Sequence, residues 1–149
     1  MPFSPGRAKE LIHARIRGDP EILQLLDLDE QSDNVDIAKR IIQRSQWDDL
    51  VNGERRICIY HRPSRPGSTD LFTENVLQID VHVPSSVDYI ADSIQERVSR
   101  LLSFKDPNNR TGKFEIDNMV LQLDGSLGEL PTIPSFVCVG SRFCYYSTI

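Results

Sequence analysis

Between Val76 and Val83 apolar and polar residues alternate without a break, Leu77, Ile79, Val81 and Val83 being separated by Gln78, Asp80 and His82. A period of two places the first set on one face of a β-strand and the second set on the other, so the pattern predicts a strand with one face buried and one wet. Pro84 halts it. Ser85 and Ser86 then read as caps of a helix in which Val87, Ile90, Ala91, Ile94, Val98, Leu101 and Leu102 share one stripe. Asp88, Asp92, Glu96 and Arg100 take the opposite side of that helix. A half-buried strand leading into an amphipathic helix restricts the chain to a sheet with a helix laid over one face.

The remaining segments fit that frame. Arg56 to His61 is a compact β-branched and aromatic run, and reads as the strand preceding Val76–Val83. About fifteen residues, Arg62 to Val76, join the two strands, which is longer than a tight hairpin needs and predicts a projecting loop. Further strands are expected over about Phe114 to Leu123 and Phe136 to Tyr146, linked through Gly125, Gly128, Pro131 and Pro134. Upstream, Ala8, Leu11, Ile12, Arg15 and Ile16 recur at helical spacing, and Gly18-Asp19-Pro20 supplies a stop, a cap and a first-turn proline for a second short helix. Ile37, Ala38, Ile41 and Ile42 mark a third helix capped by Asp33 or Asn34. The expectation is an α+β fold: a roughly four-stranded antiparallel or mixed sheet, the amphipathic helix on one face, and N-terminal helices. Residues 1–149 are read as one domain, with helical segments over 1–50 and the sheet with its packed helix over 55–147.

Composition limits the function classes. At 149 residues with 39% apolar and 26% charged side chains, the chain has ordinary globular proportions. Its net charge of -5 disfavours a dedicated nucleic-acid or anionic-lipid binder, and restricts any DNA contact to a local or fleeting one. No run of 18 apolar residues occurs and the N-terminal segment has no apolar leader-like stretch, so neither membrane insertion nor export is expected. Cys58, Cys138 and Cys144 are odd in number and lie in apolar strand-like segments, which suits buried thiols in a reducing compartment.

Catalytic and metal patterns are absent from the linear sequence. His13, His61 and His82 have no His or Cys at i+3 or i+4, so zinc-site spacing is missing. Asp27-x-Asp29-x-Gln31 starts like a calcium loop but has Ser32 at the turn glycine and Ala38 at the bidentate glutamate. Gly125-Ser126-Leu127-Gly128 is neither a nucleophile elbow nor a phosphate loop. His82 beside Asp80 reads as a surface pair. Arg55, Arg56, Arg62 and Arg65 form the one local excess of positive charge, to be solvated or paired with Asp48, Asp49, Glu54 and Asp70, or else, for Arg62 and Arg65 on their proline-stiffened loop, to pair with a neighbouring subunit or touch passing phosphate. No cofactor is expected.

Arg56-Ile57-Cys58-Ile59-Tyr60-His61-Arg62-Pro63, Leu77-Gln78-Ile79-Asp80-Val81-His82-Val83-Pro84, and Gly128-Glu129-Leu130-Pro131 through Tyr146 resemble the tail-terminator, or head-tail joining, proteins of long-tailed bacteriophages, in particular the lambda-like members. The resemblance covers about residues 7 to 147 and includes the order of elements. It implies a non-enzymatic virion protein, assembled in the bacterial cytoplasm, whose homo-hexameric ring caps the tail tube. The partners implied are the tail tube protein and a neck or head-completion protein, with transient, non-specific contact to passing double-stranded DNA. The N-terminal residues 1–33 exceed the shortest members of that family, so the resemblance assigns them no role. A sphere of this chain length has a radius of gyration of about 15 Å and a diameter of roughly 38 Å, and six in a ring enclose a gap of roughly the same width, enough for duplex DNA.

On this expectation the long connection supplies the first contact candidates, Arg62, Arg65, Asp70 and Phe72, since a polar loop with one large apolar residue can anchor a partner. Arg142, Tyr145 and Tyr146 of the final strand are the second set. Three other readings stay open: another head-tail connector or head-completion protein; a small cytosolic enzyme pairing Cys58 or Cys144 with His61 or His82; and a monomeric adaptor.

Overall fold

The computed structural model describes residues 5–51, 53–66, 72–102, 114–116 and 119–148. Three helices come first, α1 (Pro5–Arg17), α2 (Pro20–Leu25) and α3 (Asn34–Arg40). They are followed by β1 (Ile41–Ile42), β2 (Arg56–Pro66) and β3 (Phe72–Pro84). A single 3-10 turn (Ser85–Val87) leads into α4 (Asp88–Leu102), and β4 (Phe114–Ile116), β5 (Met119–Leu130) and β6 (Phe136–Thr148) complete the fold. The sheet order is β1-β2-β3-β6-β5, with the short β4 on the outer edge of β5 as a sixth strand. β1 is parallel to β2 and every other pair is antiparallel. The class is α+β as expected, with a mixed sheet larger than the four strands anticipated.

One face of the sheet carries the main core. Ile57 and Ile59 of β2, Leu77, Ile79, Val81 and Val83 of β3, and Phe143 and Tyr145 of β6 are buried there. They pack with Ala8, Ile12 and Ile16 of α1, Ile22 and Leu23 of α2, and Ala91, Ile94, Val98, Leu101 and Leu102 of α4. This is the apolar stripe read from the sequence of α4, placed against the apolar set of β3. Asp19 fixes how the helices meet. Its Oδ2 accepts the Ile22 amide at 3.1 Å as the cap of α2, while both carboxylate oxygens take Arg97 of α4 at 2.9 and 3.0 Å. Asp33 caps α3 by accepting the Val35 amide.

Four expectations are corrected. The helical stripe does not continue through Ile41 and Ile42: both are buried as β1, opposite Ile57 and Cys58. Their branched Cβ atoms favour an extended chain packed on a neighbour over a final helical turn. The long connection between β2 and β3 is mostly ladder, with Arg65 opposite Glu74 and Pro66 opposite Thr73 after an irregularity at Arg62. Only residues 67–71 of it lie outside the described residues. The single strand expected over Phe114 to Leu123 is two, β4 and β5 folded onto each other with Phe114 opposite Leu121. β5 then runs on through the glycines, with irregular register between Leu123 and Gly125 and between Ser126 and Gly128. Gly128 has a φ of 70°, a backbone that glycine reaches without steric cost and that one class of bulge uses. Finally, Ser85 caps no helix; its amide and hydroxyl both donate to the Ser135 carbonyl, at 2.9 and 3.1 Å, tying the β3–α4 junction to the start of β6.

Candidate functional site

Residues directly opposite in a ladder share a face of the sheet. On the face away from the helices, four rows therefore run across β2, β3, β6 and β5: Arg56, His82, Cys138 and Leu130; Cys58, Asp80, Gly140 and Gly128; Tyr60, Gln78, Arg142 and Gly125; Arg62, Val76, Cys144 and Gln122. The alternation in β3 predicts this face to be wet. It is buried: Gln78 is 6%, Asp80 5% and His82 1% exposed. The chain between β1 and β2 lies over it. Trp47 stacks on His82 with ring centroids 6.1 Å apart, and the Gln46 carbonyl accepts both Arg56 and the Cys58 thiol. His82 and Asp80 are thus interior groups and not a surface pair.

The polar groups of the first two rows are held. Arg56 donates to the Lys39 and Gln46 carbonyls and pairs with Asp49 at 2.5 Å, with Glu54 at 3.8 Å. This settles part of the basic cluster as internal pairing, and Arg55 joins it by donating to the Leu25 carbonyl. The hydrogen bond from Arg56 holds the Asp49 carboxyl below its usual range. Asp80 accepts Tyr60 Oη at 2.5 Å and Gln78 Nε2 at 2.8 Å, yet burial outweighs both and raises its pKa. His82 Nδ1 meets Thr132 Oγ1 at 3.0 Å, and its Nε2 faces Cys138 Sγ at 3.6 Å. Burial, then the Arg56 charge, pushes His82 down to about 4. Burial, then the Asp80 charge, pushes the Cys138 thiol far up, and burial pushes Cys58 up to about 11. At neutral pH the imidazole is therefore neutral and both thiols are protonated, the reverse of the thiolate–imidazolium pair that cysteine nucleophiles use.

Gly140 packs directly against the Leu130 and Asp80 side chains. A Cβ there would lie 2.6 Å from Leu130 Cδ1 and 2.7 Å from Asp80 Oδ1. Because pushing that carboxylate away strains its hydrogen bonds to Tyr60 and Gln78, Gly140→Ala is expected to destabilise the fold by about 1–3 kcal/mol through overpacking. Urea denaturation measures it, and an unchanged midpoint would show that Asp80 can move aside.

The expected contact residues are dispersed. Arg62 is exposed at the β2 irregularity, near enough for its charge to favour ionised Asp80. Arg65 and Phe72 lie in the outer part of the β2–β3 hairpin, opposite Glu74 and Thr148. Asp70 lies outside the described residues. Arg142 is half-buried in the third row, and among the described residues its Nε has no hydrogen-bond partner. Tyr145 is fully buried on the helix face, its hydroxyl 2.6 Å from His61 Nε2; it is core, packed in one cluster with Phe143 and the apolar residues of α1 and α4. Tyr146 stands opposite Glu74 in the β3–β6 ladder. The enzyme reading pairs Cys58 or Cys144 with His61 or His82; Cys58 instead donates to the Gln46 carbonyl, and His82 meets Cys138, which sequence spacing misses because the two are 56 residues apart and joined only by register.

Two stretches of strand edge complete the surface. β1 covers only Ile57 and Cys58 of β2, and β4 covers only Met119 to Leu121 of β5. Beyond these, Ile59–Pro66 on one side of the sheet and 122–130 on the other have no outer strand among the described residues. None of the described helices is long and apolar enough to cross a membrane. The sequence matches no family model and no curated protein.

Proposed function

We propose that this chain is a structural subunit of a homo-hexameric ring, acting as a tail terminator that caps a phage-type tail tube and joins it to a neck or head-completion protein. The resemblance of the β2, β3 and β6 sequences to that family supports the tail assignment. The observation that carries self-association is the pair of open edges. β2 and β5 lie at opposite sides of the sheet and run in opposite directions. A rotation about an axis along the strands brings the β2 of one subunit beside the β5 of the next, in the antiparallel sense that allows a regular ladder. Open edges otherwise invite unwanted pairing, and a ring removes them.

On this reading the protein is not an enzyme, it works in the virion after assembly in the bacterial cytoplasm, and duplex DNA passes through without being held. Light scattering after size exclusion, with purified tail tubes present or absent, tests it. The expected result is a species of six 17.0 kDa chains, or its formation on tube ends. A stable monomer that ignores tubes overturns the ring. Replacing Arg62, Arg65 and Phe72 together by alanine is expected to weaken tail joining about tenfold or more; intact joining would remove the hairpin from the interface. A connector or head-completion protein, the second reading, would bind filled heads before tubes.

A further inference from the structure

We infer that Asp80, His82 and Cys138 form a binding site for a zinc ion inside the second face of the sheet. Their ligand atoms, a carboxylate oxygen, an imidazole nitrogen and a thiol sulfur, all lie within 4.8 Å of one another, and all three residues are buried. Zinc binds sulfur at about 2.3 Å and imidazole nitrogen at about 2.0–2.1 Å, which at a tetrahedral angle separates the two ligands by about 3.6 Å. The Cys138 Sγ to His82 Nε2 distance is 3.6 Å. The carboxylate has to approach by about 1 Å to complete the same geometry, and Gly140, opposite Asp80, presents no side chain on that side.

The surroundings are those of a metal site. Thr132 engages His82 Nδ1 and leaves Nε2 aimed at the shared centre, as the outer partner of a metal-bound histidine does. Tyr60 and Gln78 orient the carboxylate, and Trp47 covers the imidazole ring. Charge balance favours the ion. Zinc with one thiolate, one carboxylate and a neutral imidazole has no net charge, so it can be buried without the penalty of an isolated ion. The neighbouring Arg56 cation is taken up by Asp49 and Glu54. On binding, the Cys138 thiol gives its proton to solvent and Sγ forms the bond to zinc. A water fills the fourth position, which leaves the site neutral and Cys138 its one thiolate. The ion would pin β3 to β6, and no step of any reaction is assigned to it.

The test uses the full chain, reduced and treated with chelator, then titrated with Co2+ and with Zn2+. The expected result is one equivalent of Co2+ per chain with a thiolate-to-cobalt charge-transfer band, displaced by Zn2+. Zinc at a hundredfold excess over its dissociation constant should raise Tm by about 5–10 °C. Cys138→Ser should lose the band and bind at least about a hundredfold more weakly. Should that variant fail to fold, the wild-type spectrum decides. No band, no Tm shift, or a band that survives in Cys138→Ser overturns the site.

Discussion

Asp19→Ala is expected to destabilise the protein by about 3–4 kcal/mol, the sum of a lost helix cap and a broken, largely buried ion pair. The carboxylate is 8% exposed and holds the Ile22 amide and both the Nε and NH2 groups of Arg97. Removing it leaves α2 without its cap and takes from Arg97 its buried carboxylate partner, the exposed Glu21 lying 3.1 Å away. In a chain of this length the loss corresponds to about 6–15 °C in Tm. Asp19→Asn separates the two contributions, since an amide oxygen still caps but no longer neutralises the guanidinium; it should recover about 1 kcal/mol. Thermal and urea unfolding of the three proteins measure both. A loss below 1 kcal/mol for Asp19→Ala would mean that α2 and α4 are held together by their apolar contacts alone.

The second large effect is acid sensitivity through His82. Its folded pKa of about 4 lies below the ordinary 6.5, so the unfolded chain takes up a proton first as the pH falls. Stability from this group is complete above about pH 6.5 and declines toward pH 4, by about 3 kcal/mol in all. His61, also lowered by burial and then by Lys9, adds a slope of the same sign. Asp80, whose pKa is raised, adds the opposite slope at the acid end, so the His82 effect reads best in the upper part of the window. Denaturation midpoints from pH 7 to pH 4.5, in chelator so that no bound ion masks the imidazole, should fall steeply for the wild type. They should fall less for His82→Gln. Parallel curves would show that His82 is not the group responsible.

The sequence makes some of this fold legible and hides the rest for physical reasons. The α4 stripe and the apolar residues of β3 are found together in the core because one period fits a helix face and the other a strand face. Asp19 and Pro20 mark the start of α2 because capping is local chemistry. Ile41 and Ile42 mislead, since helical spacing and burial in a parallel strand select the same residues. Gly125 and Gly128 resemble a loop because bulged strands use loop residues. The polar set Gln78, Asp80 and His82 reads as solvent-facing because alternation reports polarity, whereas burial here comes from a distant segment, residues 46 and 47, lying across it. The His82–Cys138 contact depends on the register of β3 with β6, which no local pattern encodes.

A sheet with an exposed margin on each side has two outcomes when copies add to one another. With too little turn between neighbours it extends into an endless filament, and with the right turn it closes. The two irregularities of β5, between Leu123 and Gly125 and between Ser126 and Gly128, bend and twist that margin. They also break the flat, continuous template on which fibrils grow. If the proposed ring forms, the glycine-rich stretch is therefore the part of the chain where a straightening substitution is expected to favour open-ended growth over closure.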